Sequence, residues 1–306
     1  MSATFRNSFY IKLGRGGCWE EDSIEFGRLR LGWKDQSIDD INARDWPKIE
    51  GQLRSGQSSA PQVATTDLNR LRDIVESTPD DIWITFHGAK LWWARLAEGA
   101  VQVDAISKFR PTLGGWRCTS EQGRLLVAND LPGKITMLQG FRGTVCKVRH
   151  ADVLARVLDG TRSPVSDAIS TQRQALAGHL EAAIRELHWK DYETLVDLVF
   201  RHAGWDRVSV LGQQAKAYDL ELREPLTGTR YVVQVKSQAN RADLQATIDQ
   251  FSPADFRKIF FVVHSPSRDL QSATDLPSHI ELVEPSHLAS LALDAGLTTW
   301  LESKVR

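Results

Sequence analysis

The sequence predicts an α/β (α+β) protein in two parts: a small N-terminal α+β part with a curved sheet or barrel, and a C-terminal mixed sheet flanked by helices. Three observations carry this reading. From residue 188 onward the apolar periodicity switches between helical and strand spacing, in the order helix, hairpin, helix, strand, strand, helix. Before residue 160 lie seven of the ten tryptophans, Trp19, Trp33, Trp46, Trp83, Trp92, Trp93 and Trp116, several of them in short strand-like runs. Between these regions lies a short polar stretch with proline, Thr161-Arg162-Ser163-Pro164-Val165-Ser166. The expected division is therefore residues 1–160, a linker at 161–171, and residues 172–306.

The elements follow in chain order. Tyr10-Ile11-Lys12-Leu13-Gly14-Arg15-Gly16-Gly17-Cys18-Trp19 has the glycines of a phosphate loop but neither the spacing nor the Gly-Lys-Ser/Thr of a nucleotide-hydrolysing one. It reads as a tight turn, either structural or presenting Arg15 to a phosphate. The breaker run Ser55-Gly56-Gln57-Ser58-Ser59-Ala60-Pro61 reads as an exposed loop. Residues 66–76 have the spacing of an amphipathic helix. Residues 81–87 and 91–96 flank Gly88-Ala89-Lys90, a hairpin signal, and residues 99–103 are expected to continue that sheet. Further short segments lie at 134–138 and 144–148.

A helix is expected over 168–187. A second, over 188–200, has Tyr192, Leu195, Val196, Val199 and Phe200 on one face and ends at Ala203-Gly204-Trp205. Asp219-Leu220-Glu221-Leu222 alternates polar and apolar residues after Tyr218. Glu224-Pro225-Leu226-Thr227-Gly228-Thr229 is a turn, and 231–235 is β-branched and aromatic, so the pair reads as a hairpin. A helix over 241–251, strands at 258–264 and 279–283, and a closing helix over 285–303 complete the chain.

Composition bounds the function. Apolar residues make up 42% and charged residues 25% of the chain, ordinary for a soluble globular protein. No apolar run reaches the roughly 18 residues of a membrane span, so no membrane partner is expected, and the N-terminus lacks a signal-peptide pattern. Cys18, Cys118 and Cys146 are widely spaced and odd in number, fitting neither a disulfide framework nor a zinc site, which points to the cytoplasm. Net charge is −1, with 22 basic and 20 acidic residues through residue 160 and 16 basic and 19 acidic beyond it. A blanket electrostatic binder of nucleic acid is thereby disfavoured; contacts must come from local patches.

The hairpin carries the chemistry. Side chains alternate along a strand, so Gln234 and Lys236 share a face, and Asp219 can join them across the hairpin. A carboxylate is the preferred ligand of a hard cation such as Mg²⁺. An amide carbonyl is a weaker neutral ligand, and a lysine can stabilise charge growing on a phosphate. An exposed Asp and Lys on an ordinary hairpin is the plain alternative. Glu221 reads as a solvated strand residue or a supporting carboxylate, and Ser237 and Gln238 as loop residues or phosphate contacts.

With its flanks, the region from about 172 to 306 resembles the Mrr-like branch of the PD-(D/E)xK nuclease superfamily. The matching residues are Tyr192-Glu193-Thr194-Leu195-Val196, Gly204-Trp205, Asp219, Gln234 and Lys236. The usual glycine-rich lead survives only as Leu211-Gly212-Gln213-Gln214-Ala215. The resemblance implies a restriction-endonuclease-like fold, Mg²⁺ or Mn²⁺ held by Asp219, Gln234 and Glu193, and Lys236 as catalytic lysine. Gln234 in place of an acidic residue weakens the metal site. For the tryptophans core packing is the simpler role; an aromatic pocket for a base, with Trp33, Trp93 and Trp116, is the sharper one. Trp33 and Trp116 follow glycines and are expected on exposed turns. The N-terminal part weakly resembles PUA-like modules, among them EVE, which bind modified bases. The expected function is a Mg²⁺-dependent endonuclease for modified double-stranded DNA, a type IV-like restriction enzyme of phage defence. A homodimer is expected, with the closing helix contributing to its interface or to the core. Two alternatives stay open: an inactive nuclease-fold binding module, and a nuclease for RNA or branched DNA.

Overall fold

The computed structural model describes residues 4–55, 61–208, 219–251, 256–273 and 276–306. The chain divides into two compact units, Met1–Pro164 and Val165–Arg306. The breaker residues 56–60, the lead Leu211-Gly212-Gln213-Gln214-Ala215 and Tyr218 lie outside the described residues.

In the first unit the strands are β1 (Ser8–Ile11), β2 (Arg28–Leu31), β3 (Ile82–His87), β4 (Lys90–Ala94), β5 (Gln102–Val103), β6 (Lys108–Pro111) and β7 (Val145–Lys147). The helices are α1 (Glu20–Glu25), α2 (Ile38–Ala43), α3 (Trp46–Ser55), α4 (Pro61–Val75), α5 (Gly133–Thr136) and α6 (Ala151–Asp159). A four-stranded mixed sheet has the order β4-β3-β1-β7, with β1 parallel to β3. Alternation puts Phe9, Ile11 and Trp83 in one apolar cluster and Tyr10, Ile82 and Ile84 in another, so both faces of this sheet are covered. The predicted hairpin is β3–β4, turning at Gly88 and Ala89, both with positive φ, as a two-residue primed turn requires. Residues 99–103 do not continue this sheet. Gln102 and Val103 pair instead with β6 in a separate antiparallel sheet, β2-β6-β5. Both sheets are open; no closed barrel forms among the described residues.

The second unit holds α7 (Pro164–Glu186), α8 (Trp189–His202), β8 (Asp206–Arg207), β9 (Leu220–Arg223), β10 (Arg230–Ala239), α9 (Arg241–Gln250), β11 (Lys258–Pro266), α10 (Arg268–Gln271), β12 (Ile280–Val283), α11 (Pro285–Asp294) and α12 (Thr298–Lys304). Its sheet runs β12-β11-β10-β9-β8: β10, β11 and β12 are parallel, and β9 is antiparallel to both its neighbours. The order of helices and strands is the one the periodicity predicts. Four details differ. A short helix, α10, separates the last two strands. α7 begins at Pro164, inside the expected linker, because proline is favoured in a first helical turn. The expected closing helix is two, broken where Gly296 adopts φ 70°, which a side chain would disfavour. The two-residue β8 is too short to leave a periodic signal.

One apolar cluster packs Tyr192, Leu195, Val196 and Val199 of α8 against Leu220, Leu222, Val233 and Val262 of the sheet. The opposite face packs Val232, Phe261 and Val263 against Leu244 of α9. Leu288, Ala292, Leu297 and Leu301 belong to the first of these cores, and Leu291 and Leu293 are partly buried against it. Among the described residues no helix is long and apolar enough to cross a membrane.

Candidate active site

The register of β9 on β10 builds the site. Glu221 pairs with Val232 and Leu220 with Val233, so the next rung sets Asp219 beside Gln234. The Asp219 N–H donates to the Val233 carbonyl at 3.2 Å. Asp219 Oδ2 accepts from Gln234 Nε2 and from the Val235 N–H, each at 2.6 Å. Leu220 and Val233 are buried, whereas Asp219 is exposed. The apolar alternation therefore fixes which residues turn toward the rim, and two hydrogen bonds fix the carboxylate there.

Glu193 joins from α8. Tyr192 and Leu195 point into the core, which leaves Glu193 on the open side of the helix's first turns. Its carboxyl is pushed up from the ordinary glutamate range, first by partial burial and then by the negative charge of Asp219. The two carboxylates therefore repel each other. Two clefts meet at this point, and Glu193 and Val235 line both. One, of about 330 Å³, also has Asp219, Thr194, Arg201 and Arg207 on its walls. The other, of about 290 Å³, has Lys236, Ser237, Trp189, Tyr192 and His264. Asp219, Gln234, Glu193 and Lys236 therefore come to one rim of the sheet.

The donor set suits a hard divalent cation: two mutually repelling carboxylates and an amide, all offering oxygen. Gln234 turns its NH₂ to Asp219, which leaves its carbonyl oxygen for another partner. Among the described residues no three His, Cys, Asp or Glu side chains cluster as a metal site, so the amide is needed to complete the set. Lys236 is half-buried, and no described acidic group is ion-paired with it. Arg201 and Arg207 both reach Asp197, at 2.9 and 3.3 Å, which offsets part of the positive charge in the Asp219 cleft.

Glu221 departs from the expected solvated position. It is 3% exposed and ion-paired to Arg230, at 2.7 Å from Nε, so it supports the strand pair rather than the rim. Ser237 borders the cleft, while Gln238 is an exposed strand residue. Several cleft residues escaped the sequence reading, among them Arg201, Arg207, His264 and Trp189. His264 was legible only as the end of a buried strand; its Nδ1 lies 2.9 Å from Ser265 Oγ. Its Nε2 and the Tyr192 hydroxyl are buried without a hydrogen-bond partner among the described residues, an arrangement that costs on the order of 1–3 kcal/mol per group. Trp189 had a visible signal, an aromatic between His188 and Lys190 at a helix start.

In the first unit the named residues do not converge. Trp116 is 7% exposed, not on an open turn; its indole N–H donates to the Arg28 carbonyl at 2.9 Å. Trp33 is half-buried and packs on the same core. Trp93 lies in the other cluster, its N–H bonded to the Thr119 carbonyl and its ring covered by the Arg117 guanidinium at 3.9 Å. It borders a cavity of about 250 Å³ with Gly114, Gly115 and Arg117. Arg15 is exposed in a single 3-10 turn between glycines of positive φ.

The second unit thus combines a helix-hairpin-helix-strand-strand arrangement with an Asp…Gln-x-Lys rim. Residues 184–291 match the Mrr_cat family model, a restriction endonuclease. The second unit therefore carries a Mrr-like restriction endonuclease domain. Among solved structures the chain is similar to the DNA modification-dependent restriction endonuclease AspBHI, at 13% identity over 85% of this chain and 73% of that one, with a TM-score of 0.33. It is also similar to the MspJI restriction endonuclease in complex with a 27-mer oligonucleotide, at 13% identity over 92% and 74% of the two chains, with a TM-score of 0.25. No curated protein matches the sequence.

Proposed function

We propose that the protein is a divalent-metal-dependent endonuclease that cuts modified double-stranded DNA, with the second unit hydrolysing the phosphodiester and the first unit reading the modification. The observation that carries the nuclease reading is the meeting of Asp219, Gln234, Glu193 and Lys236 at one rim, inside a segment that matches a restriction endonuclease family. Asp219, Gln234 and Glu193 would hold Mg²⁺ or Mn²⁺, which when bound supplies Lewis-acid polarisation of the phosphate and a more acidic water. The chain's own residues do the rest. The bonds from Gln234 and the Val235 N–H keep Asp219 in one orientation. Lys236 offers an ammonium without a described ion-pair partner to the phosphate oxygens, where negative charge grows as water attacks phosphorus. Its partial burial strengthens that interaction relative to bulk water.

The reading role of the first unit is supported by its separate cores and by the cavity of about 250 Å³ lined by Arg117, Gly114 and Gly115, beneath which Trp93 is buried. A PUA- or EVE-like reader is the corresponding proposal. A single site cuts one strand, so double-strand cleavage calls for two copies on DNA. The test is cleavage of matched plasmids, unmodified, methylated and hydroxymethylated, with Mg²⁺ and with EDTA. Cutting confined to modified plasmid and to Mg²⁺ is expected. Equal cutting of all three removes the reading role, and no cutting of any plasmid removes the DNA nuclease assignment.

A further inference from the structure

Trp189 stands apart from the other aromatic residues of its unit. Among the described residues, Tyr192, Phe200, Trp205, Tyr231, Phe260 and Trp300 pack in or on one core cluster, and Phe251, Phe256 and Phe261 in the other. Trp189 belongs to neither and is 50% exposed. It opens α8 on the wall of the cleft that also contains Glu193, Lys236, Ser237 and His264. Two groups flank its ring: Lys190 Nζ lies 5.3 Å from the ring centroid, and the His188 imidazole, whose Nδ1 accepts the Lys190 N–H at the start of the helix, is 5.5 Å away. A large apolar ring lining a cleft, beside the Lys190 ammonium and near Lys236, which has no described ion-pair partner, has the make-up of a single-strand stacking platform: an aromatic face for a base and positive charge for its backbone.

We infer that Trp189 stacks an unstacked nucleobase of the cleaved strand, the one adjoining the phosphate held at Lys236. The inference rests on the nuclease reading and adds to it a nucleobase subsite and a residue that positions the strand. Trp189 is a binding residue here, since it approaches the base and not the reacting atoms. The subsite requires local unstacking of the strand at the cut, so DNA that unstacks easily next to the scissile bond is the better substrate. The adjoining cavity of about 290 Å³ gives the base room beside the ring.

The test combines protein and substrate changes on the full chain. Trp189→Ala and Trp189→Phe are compared with the unaltered protein after the cut position is mapped. Duplexes lacking the base on one or the other side of the scissile phosphate are then cleaved by each. KM for intact DNA is expected to rise about tenfold in Trp189→Ala, within the range of one lost base–aromatic stack, with kcat changed less than twofold, and Trp189→Phe stays within about threefold of the unaltered protein. Removing the base at one flanking position costs the unaltered protein the same factor and costs Trp189→Ala nothing more. An unchanged KM in Trp189→Ala overturns the inference, as does full additivity of the two changes. A binding arm separates this from the nuclease reading. A single-stranded oligonucleotide carrying 2-aminopurine is titrated with the Asp219→Ala protein, with and without Trp189→Ala. Quenching that depends on Trp189 upholds the subsite even if no DNA is cut, and quenching that ignores Trp189 overturns it even if DNA is cut.

Discussion

At the rim, Glu193 feels the negative charge of Asp219. Their mutual repulsion has a measurable consequence, since a cation that joins them removes a penalty already present in the folded chain. Mg²⁺ is expected to raise the melting temperature of the protein, EDTA to reverse this, and Glu193→Gln or Asp219→Asn to abolish the response; thermal melts across a metal titration check it. Asp219→Ala and Lys236→Ala are expected to lower cleavage by roughly 1,000-fold while leaving the circular dichroism spectrum and the melting point in EDTA within error. Retained cleavage in both would remove the rim from the mechanism. Asp81, in the first unit, contributes to the pH dependence of stability. Burial alone would raise its carboxyl, but hydrogen bonds from Arg6, the Thr78 N–H and Asn7 outweigh burial and hold it below the usual aspartate range. Its folded pKa is depressed, so its contribution is complete above the unfolded value of about 3.9 and is lost as pH falls through the folded value. Asp81→Asn is expected to cost about 2 kcal/mol at pH 7, with the gap from the unaltered protein closing toward acid; denaturant titrations at several pH values read this directly.

At the scale of elements, the site depends on strands and helices whose ends are held locally. α9 follows β10, the strand that bears Gln234 and Lys236, and begins with a capping box in which Asn240 and Asp243 satisfy each other's backbone N–H groups. Asn240→Ala is expected to cost about 1 kcal/mol, measured by urea denaturation. In the β3–β4 hairpin, Ala89 sits at φ 58°, where a side chain is strained. Ala89→Gly should add roughly 0.5–1 kcal/mol by the same assay. A destabilised Ala89→Gly protein would show that the turn is not strained. These elements were legible because their signals are local: a helical apolar face in α8, alternation in β9 and β10, a breaker pair between β3 and β4. What escaped had no local signal. β8 is two residues long, and the pairing of Gln102 and Val103 with β6 depends on where a distant strand lies. The early start of α7 depends on a proline that reads equally as a breaker and as a helix opener.

At the scale of the molecule, each unit has its own apolar cores, and those of the second draw only on residues from Leu180 onward. A chain of residues 162–306 is therefore expected to fold cooperatively on its own and to retain Mg²⁺-dependent cleavage, with less preference for modified DNA. Circular dichroism melts and the plasmid panel check both parts, and a fragment without a cooperative melt would contradict the first. The sequence by itself determined the order of the main elements and the pairing of Asp219 with Gln234. Periodicity reports how each residue sits in its own strand or helix, and a short hairpin turns that periodicity into register. Tertiary packing decided the rest. It brought Glu193, Trp189 and His264 to the same rim, because the approach of α8 to the sheet is set by side-chain interlocking between segments far apart in sequence. It also buried Trp116 and Glu221, whose neighbours suggested exposure, since burial belongs to the layer above a residue and not to the residues beside it in the chain.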